Sequence, residues 1–196
     1  AGVNGLFTAT VKKMYEDPEN QFRVLVDIPM FDPKGEGLWA RLGNFYASNN
    51  AGAFFFPEVG DEVIVGFLNE DPRFPIILGS LYSADKLKPY EGLVPNEKNT
   101  LKAIVTKSGM QLSFDDEKKE LVIATPEKNT IRLSDAEKQI SIKDQNSNSV
   151  VLNEDGIQLK SKKSISIEAT EMLTLKGTQG VTIESNGGDV NINGLN

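Results

Sequence analysis

Short apolar pairs recur through the second half of the chain. Each pair is two aliphatic residues separated by one position, and successive pairs begin 7 to 10 residues apart. From Ile157 to Val181 the step is 8 residues, three times running. Such alternation is typical of a strand with one buried face, and a constant step predicts a repeated strand-and-turn unit. The pairs are Ile131/Leu133, Ile140/Ile142, Val150/Leu152, Ile157/Leu159, Ile165/Ile167, Leu173/Leu175, Val181/Ile183 and Val190/Ile192.

These strands need a cover that their own half of the chain does not encode, because no helix or second sheet is predicted there. A rotationally symmetric oligomer would bury every apolar pair at a shared axis, and three copies give the smallest closed interior, which suits aliphatic side chains. A two-sheet sandwich within one chain is the alternative, although the constant step favours identical units. We therefore predict an oligomer core, taken as a trimer, that comprises Ile157, Leu159, Ile165, Ile167, Leu173, Leu175, Val181, Ile183, Val190 and Ile192.

The first 82 residues follow a different pattern, with nine of the ten Phe and the only Trp. Five irregularly spaced strands are predicted there, and five short strands in about 80 residues indicate a small barrel of the OB type. The fold class is therefore all-β: an OB-fold domain at 1–82, a linker rich in Pro and Gly at 83–100 and a needle of repeats at 101–196. The five strands are predicted at 5–13, 22–28, 38–41, 62–67 and 76–81.

Composition narrows the function classes. The chain has no Cys and no His, which removes thiolate metal sites and the commonest general base, so no metal, cofactor or catalytic residue is predicted. A net charge of -7 argues against a nucleic-acid partner. Glycosidase chemistry needs two carboxyl groups that face each other across a cleft. The neighbouring carboxylates Asp61/Glu62 and Asp115/Asp116 lie in predicted turns, so they are not expected to meet that requirement. No signal peptide or membrane span is predicted. Ala1 in place of Met indicates a processed chain or, as the favoured interpretation, a piece of a longer protein.

One block of nearly 30 residues carries a family resemblance. Residues 54–67 have the sequence FFFPEVGDEVIVGF, and residues 69–82 have NEDPRFPIILGSLY. We expect Val63, Val65 and Phe67 to face the barrel core. The block resembles the OB domain in the central spike of contractile injection machines, the VgrG proteins of type VI secretion and the equivalent spike of contractile-tailed phages. The following order of linker and octads resembles that family as well.

The resemblance implies a non-enzymatic homotrimer, with an OB collar followed by an intertwined trimeric β-helix or β-prism needle that punctures a target membrane. It implies hub and tube proteins at the N-terminal end, effector cargo, and assembly in the bacterial cytoplasm or a phage-like particle before delivery to a target cell. It also implies that a PAAR-type tip protein binds at Asn191, Ile192, Asn193, Gly194, Leu195 and Asn196. The family's usual hub domain is absent from this sequence.

The aromatic residues of the first domain leave two interpretations open. Phe54, Phe55 and Phe56 are consecutive, so they cannot all point inward from a strand, and at least one is expected at an interface. The alternative function is an OB module that binds carbohydrate or oligonucleotide on an oligomerising stalk, with bases or sugars stacked on aromatic rings. The aromatic residues considered for that role are Phe22, Trp39, Phe45 and Tyr46, although the lack of a basic groove favours core or subunit-contact roles for them.

Overall fold

The computed structural model describes residues 2–84 and 86–194. The chain forms two compact units, Ala1–Asn99 and Thr100–Asn196, and each is described by itself. Nearly all regular structure is β, the exception being a 3-10 turn at Leu68–Glu70. Among the described residues, no helix has the length and apolar character needed to cross a membrane.

The first unit is built on a closed barrel of five strands, which confirms the predicted all-β barrel. Its spatial order is β1-β2-β3-β7-β6, with antiparallel neighbours except for the parallel pair β3 and β7. Two further short strands form a separate hairpin, β4 with β5. The strands are β1 Phe7–Lys13, β2 Arg23–Asp27, β3 Leu38–Leu42, β4 Ala47–Ser48, β5 Ala51–Gly52, β6 Glu62–Phe67 and β7 Pro75–Leu81.

The barrel interior is aliphatic because alternate residues of each strand point inward. Val63 and Val65 are fully buried, as predicted, and Phe67 packs against this core. Phe67 also makes edge-to-face contacts with Phe7 and Phe31, at centroid distances of 6.0 and 5.5 Å. The fully enclosed set is Ala9, Val11, Val24, Val26, Ile28, Ala40, Val63, Val65 and Ile77.

All five predicted barrel strands are present, with bounds that differ by at most two residues. The hairpin of β4 and β5 was not predicted. Its strands have two residues each and consist of Ala, Ser and Gly, so they carry no β-branched or alternating signal. Gly52 is required in that hairpin, since it has a φ of 141° and an added Cβ would lie 2.7 Å from the carbonyl oxygen of Tyr46.

A buried carboxylate organises the loop between β1 and β2. Asp17 accepts backbone N–H groups from Glu19, Gln21 and Arg23 at 3.2, 2.8 and 3.2 Å. The Arg23 guanidinium donates to the same carboxylate, with the closest contact at 2.7 Å. These hydrogen bonds, led by that from the Arg23 side chain, hold the pKa of Asp17 far below its ordinary value. Asp17 therefore fixes the loop as a charged anchor.

The second unit contains one seven-stranded antiparallel sheet in simple sequence order, β8 to β14. The two-sheet sandwich is therefore wrong for residues 101–160, where each strand pairs with its sequence neighbours. No strand is present among residues 161–194. The strands are β8 Leu101–Val105, β9 Gln111–Asp115, β10 Glu120–Ala124, β11 Thr130–Ser134, β12 Gln139–Lys143, β13 Ser149–Asn153 and β14 Gly156–Lys160.

The Asp17 anchor predicts acid sensitivity of the first unit. Its pKa is depressed in the folded state, whereas an unfolded Asp titrates near about 3.9. The stabilisation is thus fully present above that pH and is lost as pH falls toward the folded pKa. We expect the urea midpoint of the barrel transition in the unaltered chain to decrease as the pH is lowered below about 4. In Asp17→Asn the same decrease should be less steep. Asp27→Asn is the matched control, and an equal slope for Asp17→Asn would contradict the assignment.

Candidate oligomer interface

The register of the seven-stranded sheet aligns the apolar pairs into two rows on one face. In the first row, Ile131 lies opposite Ile123 on one side and Ile142 on the other. In the second row, Leu133 lies in the same way between Leu121 and Ile140. The first row is Ile104, Leu112, Ile123, Ile131, Ile142, Val150 and Leu159, and the second is Lys102, Phe114, Leu121, Leu133, Ile140, Leu152 and Ile157. We call these two rows the apolar face.

The apolar face is open in the single chain. Ile131 is 40% exposed, Ile142 46% and Leu159 53%, although these residues lie in well-paired strands. The face is far more continuous than the scattered exposed apolar residues of an ordinary monomer. Each of the seven strands contributes one residue to each row, and in six strands both residues are apolar. Such a surface is typical of a sheet face that packs against another element.

The opposite face of the sheet is organised by charge and small polar side chains. Arg132 contacts the carboxylates of Glu120 and Glu137, and its two hydrogen bonds to Glu137 are 2.5 and 2.7 Å long. These contacts raise the pKa of Arg132 above its ordinary value and lower that of Glu137. Ser134 and Ser141 are buried beside this cluster. The two faces thus differ in chemistry, and Arg132 of the polar face is paired with carboxylates of its own chain.

The structure reveals a 19-residue repeat that the sequence analysis missed. Ile104, Ile123 and Ile142 occupy the same row at intervals of 19 residues, and each unit contains two strands and two loops. The loops at one sheet edge also repeat: Thr106–Met110, Thr125–Asn129 and Asp144–Asn148. In each, the first side chain accepts the N–H of the fifth residue, at 3.1, 3.3 and 2.7 Å. Comparison of the chain with itself at this offset is the signal that would have found the repeat.

The ten predicted core residues fall into two groups. Ile157 and Leu159 lie on β14 at the end of the two rows. The other eight, from Ile165 to Ile192, lie outside any strand and are at least half exposed. Their octad spacing continues the alternation, but one chain provides no neighbouring strand for them. Their role in an oligomer core stays a prediction.

The remaining predicted site residues are exposed or lie beyond the described range. Asn191, Ile192, Asn193 and Gly194 are exposed, whereas Leu195 and Asn196 lie outside the described residues. Within the described part of the chain, no group of three or more metal-ligating side chains comes together.

Of the three consecutive phenylalanines, two are exposed and one packs against the barrel core. Phe54 is 74% exposed and Phe55 59%, while Phe56 packs against the barrel core and stacks on Phe54 at 4.8 Å. Phe22, Phe45 and Tyr46 are also exposed and make no part of the core. The interface role of Phe54, Phe55 and Phe56 stays a prediction.

Comparison with known families accounts for both units. Residues 7–82 match the type VI secretion system/phage-baseplate injector OB domain. Residues 120–196 match the phage baseplate V C-terminal trimerisation domain, and the two matches together cover more than half of the chain. The chain belongs to this family of injector spike proteins. The predicted resemblance and the order of barrel before trimerisation domain are therefore confirmed.

Curated relatives agree with the family. The chain is 34% identical over 83 residues to type VI secretion system spike protein VgrG1a of Pseudomonas aeruginosa, which covers 42% of the chain and 13% of that relative. It is 33% identical over 125 residues to type VI secretion system spike protein VgrG3 of Vibrio cholerae, and this match covers 59% of the chain and 12% of that relative. Actin cross-linking toxin VgrG1 of Vibrio cholerae is 38% identical over 82 residues, and this match covers 40% of the chain and 7% of that relative. The match thus spans about an eighth of VgrG1a and VgrG3, and less of the toxin.

Two adjacent residues of β10 test the apolar face. Ile123 lies on this face and is 46% exposed, whereas Val122 lies on the opposite face and is more buried in the single chain. Because Ile123 is already about half buried, its complete burial by other copies would contribute roughly half of the 1.5 to 3 kcal/mol typical of a fully exposed side chain. We therefore expect Ile123→Ser to weaken the oligomer in sedimentation velocity, with Val122→Ser as the matched control. The reverse order of effects would show that the apolar face is not the interface.

Proposed function

We propose that the chain is a structural segment of the central spike of a contractile injection apparatus. The observation that carries the proposal is the open apolar face, two aligned rows across seven strands, in a chain with a trimerisation-domain match at 120–196. Two further copies provide the cover that the single chain lacks. The family match and the named spike proteins among its relatives supply the apparatus in which such a trimer works.

The proposed action is mechanical and not catalytic. Covering the apolar face leaves paired charges such as Arg132 with Glu120 and Glu137 toward water, and this exterior resists adhesion to lipid acyl chains. Local opening under load would expose aliphatic rows and break ladder hydrogen bonds together, which makes it costly. The spike is assembled in the producing cell or particle and is driven through the target membrane, which it contacts transiently.

The proposed partners bind at opposite ends of the chain. Hub and tube proteins bind on the barrel side, and a PAAR-type tip protein binds residues 191–196. The described part of that segment is exposed and includes one large aliphatic, Ile192, with 87% of its surface accessible. Effectors are carried by the spike or its tip. No enzymatic activity is assigned to the present segment, even though one relative bears the name of a toxin.

The first measurement is the solution mass of the full chain by light scattering after size exclusion. We expect three times the chain mass of 21.5 kDa, because three copies close the apolar face around one axis. A folded species at the mass of one chain would overturn the spike assignment, since the apolar face would then be stable in water. Circular dichroism on the same sample establishes that the species is folded.

Tip binding has its own test. Ile192→Ser is expected to weaken the affinity for a purified PAAR-type protein by about tenfold or more, since burial of an isoleucine contributes roughly 1.5 to 3 kcal/mol. Thr182→Ser, farther from the end of the chain, is the control. Equal affinities for both variants in isothermal titration would remove Ile192 from the tip contact.

A further inference from the structure

A groove with both aromatic and polar lining lies on the barrel, outside the apolar face of the sheet. It is a groove of about 520 Å³ between the start of β2, the end of β3 and the hairpin of β4 and β5. We call its small lining residues Ala47, Ser48, Ala51 and Gly52 the floor, and polar side chains, among them Arg41 and Asn44, line it as well. Three aromatic rings border it, those of Phe22, Phe54 and Phe56. We call it the aromatic groove.

The loop before β2 holds Phe22 at this groove in a demanding conformation. Phe22 has a φ of 57°, and Glu16 and Asn20 in the same loop have φ values of 56° and 51°. Left-handed backbone is unfavourable for residues other than Gly, and especially for a bulky one, so the surrounding structure must impose it. The Asp17 carboxylate does so through its hydrogen bonds to Gln21 and Arg23, the two residues that flank Phe22.

Phe22 does not belong to the barrel core. Phe22 is 76% exposed and Phe54 74%, so the loop places an aromatic ring in water at the cost of backbone strain. Strain of this kind persists where a binding surface has to be organised in advance. Aromatic side chains are enriched at the centres of protein–protein contacts.

We infer that the aromatic groove is covered by a second copy of this chain, and that Asp17 with Arg23 is the positioning pair that presents Phe22 to it. The inference rests on the proposed trimer. The trimerisation match at 120–196 brings copies together, and residues 83–99, which contain no strand where described, tether each barrel to it. A tether of this length gives an effective concentration on the order of millimolar, at which a modest aromatic contact is populated.

Cross-linking from the groove floor tests the inference, because the chain has no native Cys. Ser48→Cys is labelled with benzophenone maleimide in the full-length chain, alone in buffer, and is then irradiated. We expect a product of twice the chain mass on a denaturing gel. Ser80→Cys on β7, exposed and outside the groove, is the matched control and is expected to give at least several-fold less. Since no other protein is present, a product of doubled mass can contain only copies of this chain.

The outcomes separate this inference from the proposed function. A trimer by light scattering with equal cross-linking from the two labelled variants would overturn the aromatic groove as an interface while leaving the spike assignment intact. A monomer without cross-linked product would overturn both. A trimer in which labelled Ser48→Cys cross-links only within its own chain would also overturn the inference, since the cover would then be intramolecular.

Phe22→Asn, introduced together with Ser48→Cys, tests the positioning role. Asn adopts left-handed backbone more readily than Phe, so this change should keep or raise the melting temperature while it lowers cross-linking from the groove floor several-fold. Asp17→Asn in the same background should lower the cross-linking while the light-scattering mass stays trimeric. If neither change alters the cross-linking yield, or if Phe22→Asn lowers it only by unfolding the barrel, then Asp17 and Phe22 have no positioning role.

Discussion

The constraint on which the second unit depends is that a single antiparallel sheet has two faces, and the described part of this unit contains no second sheet or helix to cover either. On the polar face this is harmless, since Arg132 is paired with Glu120 and Glu137. On the apolar face the same register that completes the backbone hydrogen bonds also aligns aliphatic side chains across seven strands. The register therefore causes both the pairing and the exposure, and an apolar surface supplied by other copies would cover the rows without disturbing the pairing.

The barrel is independent of that constraint, because closure buries its core within one chain and leaves no open edge. Val24, Val26, Val63, Val65 and Ile77 have no measurable exposure. Its surface loops can then hold conformations that would be too costly in a marginal fold. The β1–β2 loop is such a case, since a charged anchor at Asp17 imposes left-handed backbone at Phe22.

Much of this architecture was predictable from the sequence, and the failures have identifiable causes. Val63, Val65 and Phe67 alternate, so both their strand and their inward direction followed from periodicity. The hairpin of β4 and β5 was missed because its Ala, Ser and Gly carry no such pattern. Three consecutive aromatics predicted that at least one of Phe54, Phe55 and Phe56 is exposed, but not which one. The position of Phe22 at the same groove depended on hydrogen bonds to Asp17, which no local pattern reveals. The 19-residue repeat is not visible from one apolar pair to the next, because the steps between successive pairs vary. It is visible only when every second pair is compared, as with Ile131 and Val150.

The two repeat lengths explain why strands end at β14 in one chain. Each 19-residue unit carries loops that satisfy their own backbone, with Thr106, Thr125 and Asp144 accepting the N–H group four residues later. Such a hairpin needs no second chain to form its turn or its ladder. The octads from Ile157 onward shorten the polar connection between apolar pairs and do not repeat those Thr and Asp positions. In one chain the octads after β14 therefore have no ladder partners among residues 161–194, whereas the strands of the 19-residue units are paired within the chain.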